Sequence, residues 1–579
     1  MESENKVCQN CKLQFIIEPA DFDFYRKINV PPPTFCPQCR FQRRLATFNL
    51  RTLYKRKCDL CRQDKISMYP PNPPTGGSNC PNYKVYCPAC WWSDEWDPRQ
   101  YGRDYDFSKP FFEQYRKLWR EVPLLGLSID LTTAETSPYN NHAGHLKNCY
   151  LLFHSDFTED SAYGTTVIYG KNLLDCTLSH ACELSYDCKN NFKNNRCIGA
   201  DHTNESLECI FTRDCVNCQN CFASANLRGK KYYIFNKPHT KEEYFKEIKK
   251  WNLGSYAQYQ EIKKLAEEHW KKFPPKPRWD DFSANCTGNY IFNSKNCKEC
   301  FEVSNAEDSK YIFMALEGPV KDCYDVSSWG NNMELCYEGC VVGENVSGLK
   351  FCQESGLTLQ NAEYCKLSTG GSEHFGCVSM KKGKFAILNK IYPENEYRKL
   401  RERIIAHMDE LPYISHMANG ESLIYRYGEF FPMELSPFPY NDSMAQEFFP
   451  LAKNEIEKLG LVWSAAETRE YAVTKLAADF PDHIKDAPLN ILEEVVGCAS
   501  CRRGFRIIQM ELDFLKSMNL PLPRECPTCR IGKKFGKWIK NLRIFKRICG
   551  KCGTEFETAY PEDEVEYILC KKCYLEEII

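Results

Sequence analysis

The chain has 579 residues with 76 basic and 77 acidic side chains and a net charge of −1, so attraction to a polyanion must come from local patches. No run of 18 apolar residues occurs, and the opening MESENKVCQN has no apolar stretch for a signal peptide, which argues against membrane insertion and for a soluble, cytoplasmic protein. Thirty-five cysteines, many in C-x2-C pairs, point to metal rather than disulfides in a chain of this size.

The first element is Cys8–Arg40, CQNCKLQFIIEPADFDFYRKINVPPPTFCPQCR. It returns 490 residues later as Cys498–Arg530, CASCRRGFRIIQMELDFLKSMNLPLPRECPTCR. Both read C-x2-C-x24-C-P-x-C-R, with matching Phe15/Phe505, Asp23/Asp513, Phe24/Phe514 and Asn29/Asn519. Thiolates two residues apart on a tight turn take two corners of a tetrahedron, and a second pair downstream closes a structural zinc site. Four sets fit: Cys8/Cys11/Cys36/Cys39, Cys58/Cys61/Cys87/Cys90, Cys498/Cys501/Cys526/Cys529 and Cys549/Cys552/Cys570/Cys573. The expected cofactor is therefore Zn2+ at about four closed sites, with Cys80 left over in a Pro/Asn/Gly-rich loop.

The connectors between paired ribbons are basic and interleaved with aromatics. RFQRRLATFNLRTLYKRK holds Arg40, Arg43, Arg44, Arg51, Lys55 and Arg56 beside Phe41, Phe48 and Tyr54. RIGKKFGKWIKNLRIFKR holds Lys533, Lys534, Lys537, Arg543, Lys546 and Arg547 beside Phe535, Trp538 and Phe545. Cations neutralise phosphates and ring faces stack on unpaired bases, so this mixture suits RNA or single-stranded DNA. The alternative is structural: a zinc ion held by four thiolates is net anionic, and nearby Arg and Lys balance it while the rings pack the ribbons.

The C-x2-C…C-P-x-C-R unit followed by a second four-cysteine unit resembles the bacterial "probable zinc-ribbon domain" proteins, over residues 5–92 and 495–579. The second ribbon departs from that pattern in the longer spacing between Cys61 and Cys87. The resemblance implies zinc. The whole layout also resembles large cysteine-rich proteins of uncultured bacteria, some carrying a CaiB/BaiF-type CoA-transferase name; no residues here support that activity.

After the second ribbon, Ser108 and Pro110 mark the start of a helix whose stripe of Phe111, Phe112, Tyr115, Leu118, Trp119 and Val122 packs on the ribbon pair or the next domain. From Asn148 short strands recur about every 12 residues, and a second array starts near Cys286. Fixed periods with polar turns predict a repeat architecture, here a parallel β-solenoid. The arrays end alike, in KYYIFNKPHTKEEY and KFAILNKIYPENEY, a strand and then a helix, opened in the first by a Thr240/Glu243 capping box. Eighteen cysteines fall in the arrays, and an inward ladder of small buried thiols is preferred to a metal or redox relay at Cys215/Cys218/Cys221 and Cys297/Cys300. His142, His145 and Cys149 form one further candidate metal constellation. Ser255–Lys272 reads as an amphipathic helix, residues 425–449 as a docked aromatic connection with an exposed partner site as the alternative, and LNILEEVV as a last helix.

The fold class expected is multidomain and mainly β, with zinc-ribbon pairs flanking a β-solenoid middle. Its segments are 1–100 tandem ribbons, 101–146 an aromatic helical connection, 147–236 the first array, 237–283 a helical linker, 284–390 the second array, 391–490 a helical and Pro-rich connection, and 491–579 tandem ribbons. No nucleotide-loop, nucleophile-elbow or H-E-x-x-H motif is present. The functional expectation is a zinc-binding scaffold that holds RNA or single-stranded DNA through the basic connectors. The alternative is a scaffold for protein partners, and a third reading is a solenoid enzyme with an acidic groove.

Overall fold

From residue 146 to residue 227 every third position carries a side chain no larger than leucine, most often Cys, Ser or Thr. In the computed structural model, which describes residues 2–71, 82–130, 132–418, 420–465 and 472–578, these side chains line the inside of a parallel β-solenoid. Cys80 lies outside the described residues. A coil takes 12 residues: Tyr186 bridges Ile198, Ile198 bridges Ile210, and Ile210 bridges Phe222, all parallel.

Each side of a coil is three residues long, because the residue before every inward position has a left-handed backbone. Asp175, Leu178, Ala181, Leu184 and Asp187 have φ between 47° and 56°. That conformation is costly for residues with a Cβ. Bonds to the neighbouring coils offset it, as where the Asp187 N–H donates to the Leu174 carbonyl at 3.2 Å and the Tyr186 N–H to the Cys197 carbonyl at 3.0 Å.

Three residues per side leave a narrow bore, and cysteine suits it as a small, polarisable hydrophobe. The array cysteines from Cys149 to Cys221 all point inward and are buried. Each thiol can donate to the carbonyl two residues before it, as from Cys188 to Tyr186 at 3.3 Å. In the second array Cys297, Cys300, Cys323, Cys336, Cys352, Cys365 and Cys377 do the same. Cys340 departs from the ladder: it faces outward and donates to the Arg44 carbonyl at 3.3 Å. Some coils of this array have 13 residues, with Tyr324 opposite Tyr337. The extra residue forms a doubled left-handed corner, as at Asn331 and Asn332 or Glu344 and Asn345.

Both arrays end by folding the last strand back antiparallel, through Ile234/Lys237 and Ile387/Lys390. A helix follows each, Lys241–Ile248 with its Thr240 capping box and Glu394–Glu410. The chain divides into two compact units, 1–127 with 279–467 and 128–278 with 468–579. Each ribbon pair therefore shares a unit with the array that is more distant in sequence.

Local expectations fared unevenly. The Phe111–Glu121 helix buries the stripe as read, but its N-cap is Pro110, and Ser108 instead bonds to Asp106. The stripe packs on the second array and the aromatic segment: the Phe111 ring lies 5.1 Å from Tyr364 and 5.5 Å from Phe375, and the Tyr115 ring 5.3 Å from Phe431. Tyr425, Tyr427, Phe430, Phe431, Phe438 and Tyr440 are buried, so the aromatic segment is a docked connection. LNILEEVV does not form a helix: it runs through turns, and Val496–Gly497 is drawn into a strand between Lys475–Leu476 and Gly504–Phe505. No helix among the described residues is long and apolar enough to cross a membrane.

Candidate metal centres and the docked basic connectors

The first cysteine pair of each ribbon sits on the same turn. The Cys8 N–H donates to the Leu13 carbonyl at 2.9 Å, and the Lys12 N–H returns to the Cys8 carbonyl at 3.1 Å. The same two bonds recur from Cys58, Cys498 and Cys549. The returning residue is left-handed each time: Lys12, Arg62, Arg502 and Gly553 have φ of 61–71°. In three ribbons the second pair opens a helix, with Cys36, Cys87 or Cys526 as N-cap and proline next. The positive end of a helix favours a thiolate there.

Across each site a backbone N–H donates to the first sulfur: Cys36 to Cys8, Cys87 to Cys58 and Cys526 to Cys498, all at 3.2 Å, and Cys570 to Cys549 at 3.3 Å. In each set all four sulfurs lie within 4.8 Å of one another. Cys11 and Cys36 are 3.6 Å apart, Cys501 and Cys526 3.7 Å, Cys552 and Cys570 3.8 Å, and Cys498 and Cys529 3.9 Å. A tetrahedral ion with metal–sulfur bonds of about 2.3 Å requires sulfurs about 3.8 Å apart. The four sets fit a metal ion, with no side left for a substrate. Cys11, Cys61, Cys501 and Cys552 are the exposed ligands.

The other candidates do not assemble. Cys149 points into the solenoid toward the Lys147 and Thr158 carbonyls, while His145 faces Asp156. Cys215, Cys218 and Cys221 belong to the inward ladder, as do Cys297 and Cys300. Among the described residues only the four ribbon sets gather three or more such ligands.

Each basic connector opens with cations docked on carboxylates. Arg40, Arg43 and Arg44 are each only 1% exposed, on the helix Pro37–Leu45. Arg40 bonds to Asp325 at 2.9 Å, Arg44 to Asp325 at 3.0 Å, and Arg43 to Glu338 at 2.7 Å and Glu429 at 3.0 Å. Burial pushes the Glu338 carboxyl up to about 6 against the pull of Arg43 and Arg44. As placed, these three guanidiniums are not available to a phosphate. Arg51 pairs with Glu447, and Lys55 is exposed. Arg56 is buried and binds Asp59 and the carbonyls of Pro70 and Tyr83, tying the second ribbon together.

The far connector begins in the same way. Arg530 pairs with Asp175 and, at 2.7 Å, with Glu511. Lys534 reaches Asp187 at 2.7 Å. Burial alone would raise the Asp187 carboxyl, but the ammoniums of Lys263 and Lys534 outweigh it and hold it well below the usual range. Arg547, two residues before Cys549 as Arg56 is before Cys58, binds the Val565 carbonyl at 3.0 Å and that of Glu566 at 3.1 Å. From there the connectors differ. The helix Pro527–Lys540 buries Ile531, Phe535, Trp538 and Ile539, and presents Lys533, Lys537 and Lys540 to solvent on the opposite face. Arg543 and Lys546 follow, also exposed.

The acids that receive the connectors, Asp175, Asp187, Asp325, Glu338 and Glu511, were not singled out from the sequence. Their signal was present: Asp175 and Asp187 occupy one left-handed corner of successive coils, as do Asp325 and Glu338. Glu511 also falls at the repeat position of Asp21, which pairs with Lys310 at 3.0 Å.

No family model matches the chain, and no curated protein matches it. Among solved structures, a presumed acetyltransferase from Desulfovibrio desulfuricans G20 aligns at 10% identity over 53% of this chain and 72% of its own, with a TM-score of 0.10. That score is too low to carry an argument about fold or chemistry.

Proposed function

We propose that this chain is a zinc-stapled scaffold that binds RNA or single-stranded DNA through the helix Pro527–Lys540 and the strand after it. The sulfur spacing and the resemblance of the cysteine pattern to bacterial zinc-ribbon proteins support zinc as the metal. The observation that carries nucleic acid is the solvent-facing row Lys533, Lys537 and Lys540, four and three residues apart and continued by Arg543 and Lys546. Lys533, Lys540 and Lys546 pair with Glu525, Glu564 and Glu555, but these pairs are exposed and weak, so phosphates can displace them. The buried N-terminal arginines take no part.

A titration of single-stranded oligonucleotide binding against salt tests the reading. Affinity should fall as salt rises, and reversing Lys533, Lys537 and Lys540 to Glu should flatten the log–log slope by about 0.7 for each phosphate no longer neutralised. A slope near zero, or binding indifferent to the reversal, refutes it. One observation favours a protein partner instead: Val7, Leu13 and Ile16 on the first ribbon are 57–68% exposed. Partners retained after nuclease treatment and in high salt would support that reading.

A further inference from the structure

Beside the lysine row the second unit has a cleft of about 450 Å³. Its walls are the coils carrying Tyr186 and Phe211, the helix Tyr256–Trp270, and the segment Pro521–Lys537. The volume lies within the range of small-ligand sites, and the lining combines rings with cations.

The walls are held firmly. The Tyr259 hydroxyl donates to Asp187 at 3.1 Å, and Lys263 and Lys534 converge on the same carboxylate. Phe211 lies over Gly199, where an added Cβ would meet its ring at 2.4 Å, so the aromatic wall depends on a glycine in the coil. The helix is fixed by Ser255, whose hydroxyl accepts from the Gln258 N–H at 3.2 Å, and by its buried Tyr259, Ile262 and Ala266.

The charge balance is uneven. Lys263 and Lys534 share the single carboxylate of Asp187, Lys189 pairs with Asp201, and seven cations line the cleft against five acids, Glu267 and Glu525 among them. Arg524 instead donates to the carbonyls of Ala477, Phe480 and Pro481 while lying 4.8 Å from the Tyr256 ring. Among the described residues Lys537 has no carboxylate within ion-pair distance, and it forms part of both the cleft and the lysine row. A ring-lined cleft with surplus positive charge, opening onto a row of lysines, suits a planar group carried on a phosphate chain.

We infer that the cleft receives one unstacked base of the bound strand, with the adjoining phosphates on Lys533 and Lys537. This rests on the nucleic-acid reading above and adds that the strand must be locally unpaired. Fluorescence anisotropy on the full chain separates the two ideas, using a single-stranded oligonucleotide and an abasic one of equal length and charge. The base-bearing strand should bind about five-fold or more tightly than the abasic one. Gln260, exposed at the cleft, offers a way to fill it: Gln260→Trp should erase that preference and leave abasic binding and its salt slope unchanged. Tyr256→Ala should reduce the preference without filling the cleft, which guards against a misfolded tryptophan variant. Equal binding of the two strands by the unaltered protein, or a preference that survives both variants, overturns the cleft inference and leaves the lysine row standing. Failure of both strands to bind overturns both.

Discussion

Arg40 and Arg530 each follow the last cysteine of a four-cysteine site, and each turns its guanidinium onto an aspartate at a solenoid corner, Asp325 and Asp175. One helical turn later Arg44 contacts Asp325 and Glu338, while Lys534 contacts Asp187. The terminal arginine of the C-P-x-C-R motif is thus a docking residue, positioned by the helix that the cysteines open. The ribbon and the coil meet through charge that is fully buried at Arg40 and Arg44 and largely buried at Arg530 and Lys534.

Breaking such a pair leaves a buried charge uncompensated, at about 3–5 kcal/mol. Arg40→Gln should therefore cost roughly 3 kcal/mol or more in urea unfolding of the first unit, and Arg530→Gln should do the same in the second. Lys537→Gln, on the exposed row, should stay within about 0.5 kcal/mol. An Arg40 variant as stable as the parent would show that charge does not hold the docking.

Elemental analysis of purified protein should find four zinc per chain, one for each cysteine set. Cys11→Ser should lower the count by one, since no set shares a ligand with another. Fewer than three in the parent would undo the ribbon assignment. Chelation should also quicken proteolysis at the helix Pro37–Leu45, whose first turn starts at Cys36.

The inward thiols should resist chemistry until the solenoid opens. Burial pushes the Cys149 and Cys182 thiols up to about 12, so neither forms a thiolate near neutral pH. In the metal-loaded protein a thiol reagent should reach them only on unfolding. Cys209→Ala should be mild, whereas Cys209→Phe overfills the bore and should cost about 1–3 kcal/mol by thermal melting. Rapid native labelling of the ladder would contradict the packing.

Two groups give the units opposite responses to acid. Burial pushes His154 down to about 4, so the unfolded chain binds a proton that the second unit refuses. Its stabilising contribution is complete above about pH 6.5 and is lost as pH falls toward 4. Burial pushes Asp442 up to about 6 against the hydrogen bond from Tyr54, so its contribution is complete below about pH 4 and is lost as pH rises through 6. His154→Gln should flatten the first dependence, and Asp442→Asn should reduce the second and leave the share that Glu338 contributes, followed by denaturation at stepped pH. Unchanged profiles would place the titration elsewhere.

Much of this was legible in the sequence because it rests on local spacing. The four cysteine sets, the helix after Ser255 and the shared ending at Ile234 and Ile387 all follow from residues near one another. The three-residue side was harder to see. A strand reading looks for alternation, whereas here Cys215, Cys218 and Cys221 all point inward because a left-handed residue precedes each. The docking of the connectors' opening arginines was hidden for a related reason. Composition reveals that Arg43 is cationic, but only the fold shows that Glu338 and Glu429 surround it. The two connectors look alike in sequence, and the exposed lysines of one were not separable from the buried arginines of the other.

The pairing of each ribbon module with the more distant array also sets an order on synthesis. Arg40, Arg43 and Arg44 leave the ribosome almost 300 residues before Asp325 and Glu338, and must remain solvated while the entire first array is made. That array in turn waits for Arg530, which follows Asp175 by 355 residues. Domains usually mature one after another from the first residue synthesised. Here the ribbon pair before the arrays waits for the second array, and the first array waits for the ribbon pair that follows both. A nascent chain halted after residue 467 would already hold every segment of the first unit and would carry an unreceived row of acids at Asp175 and Asp187.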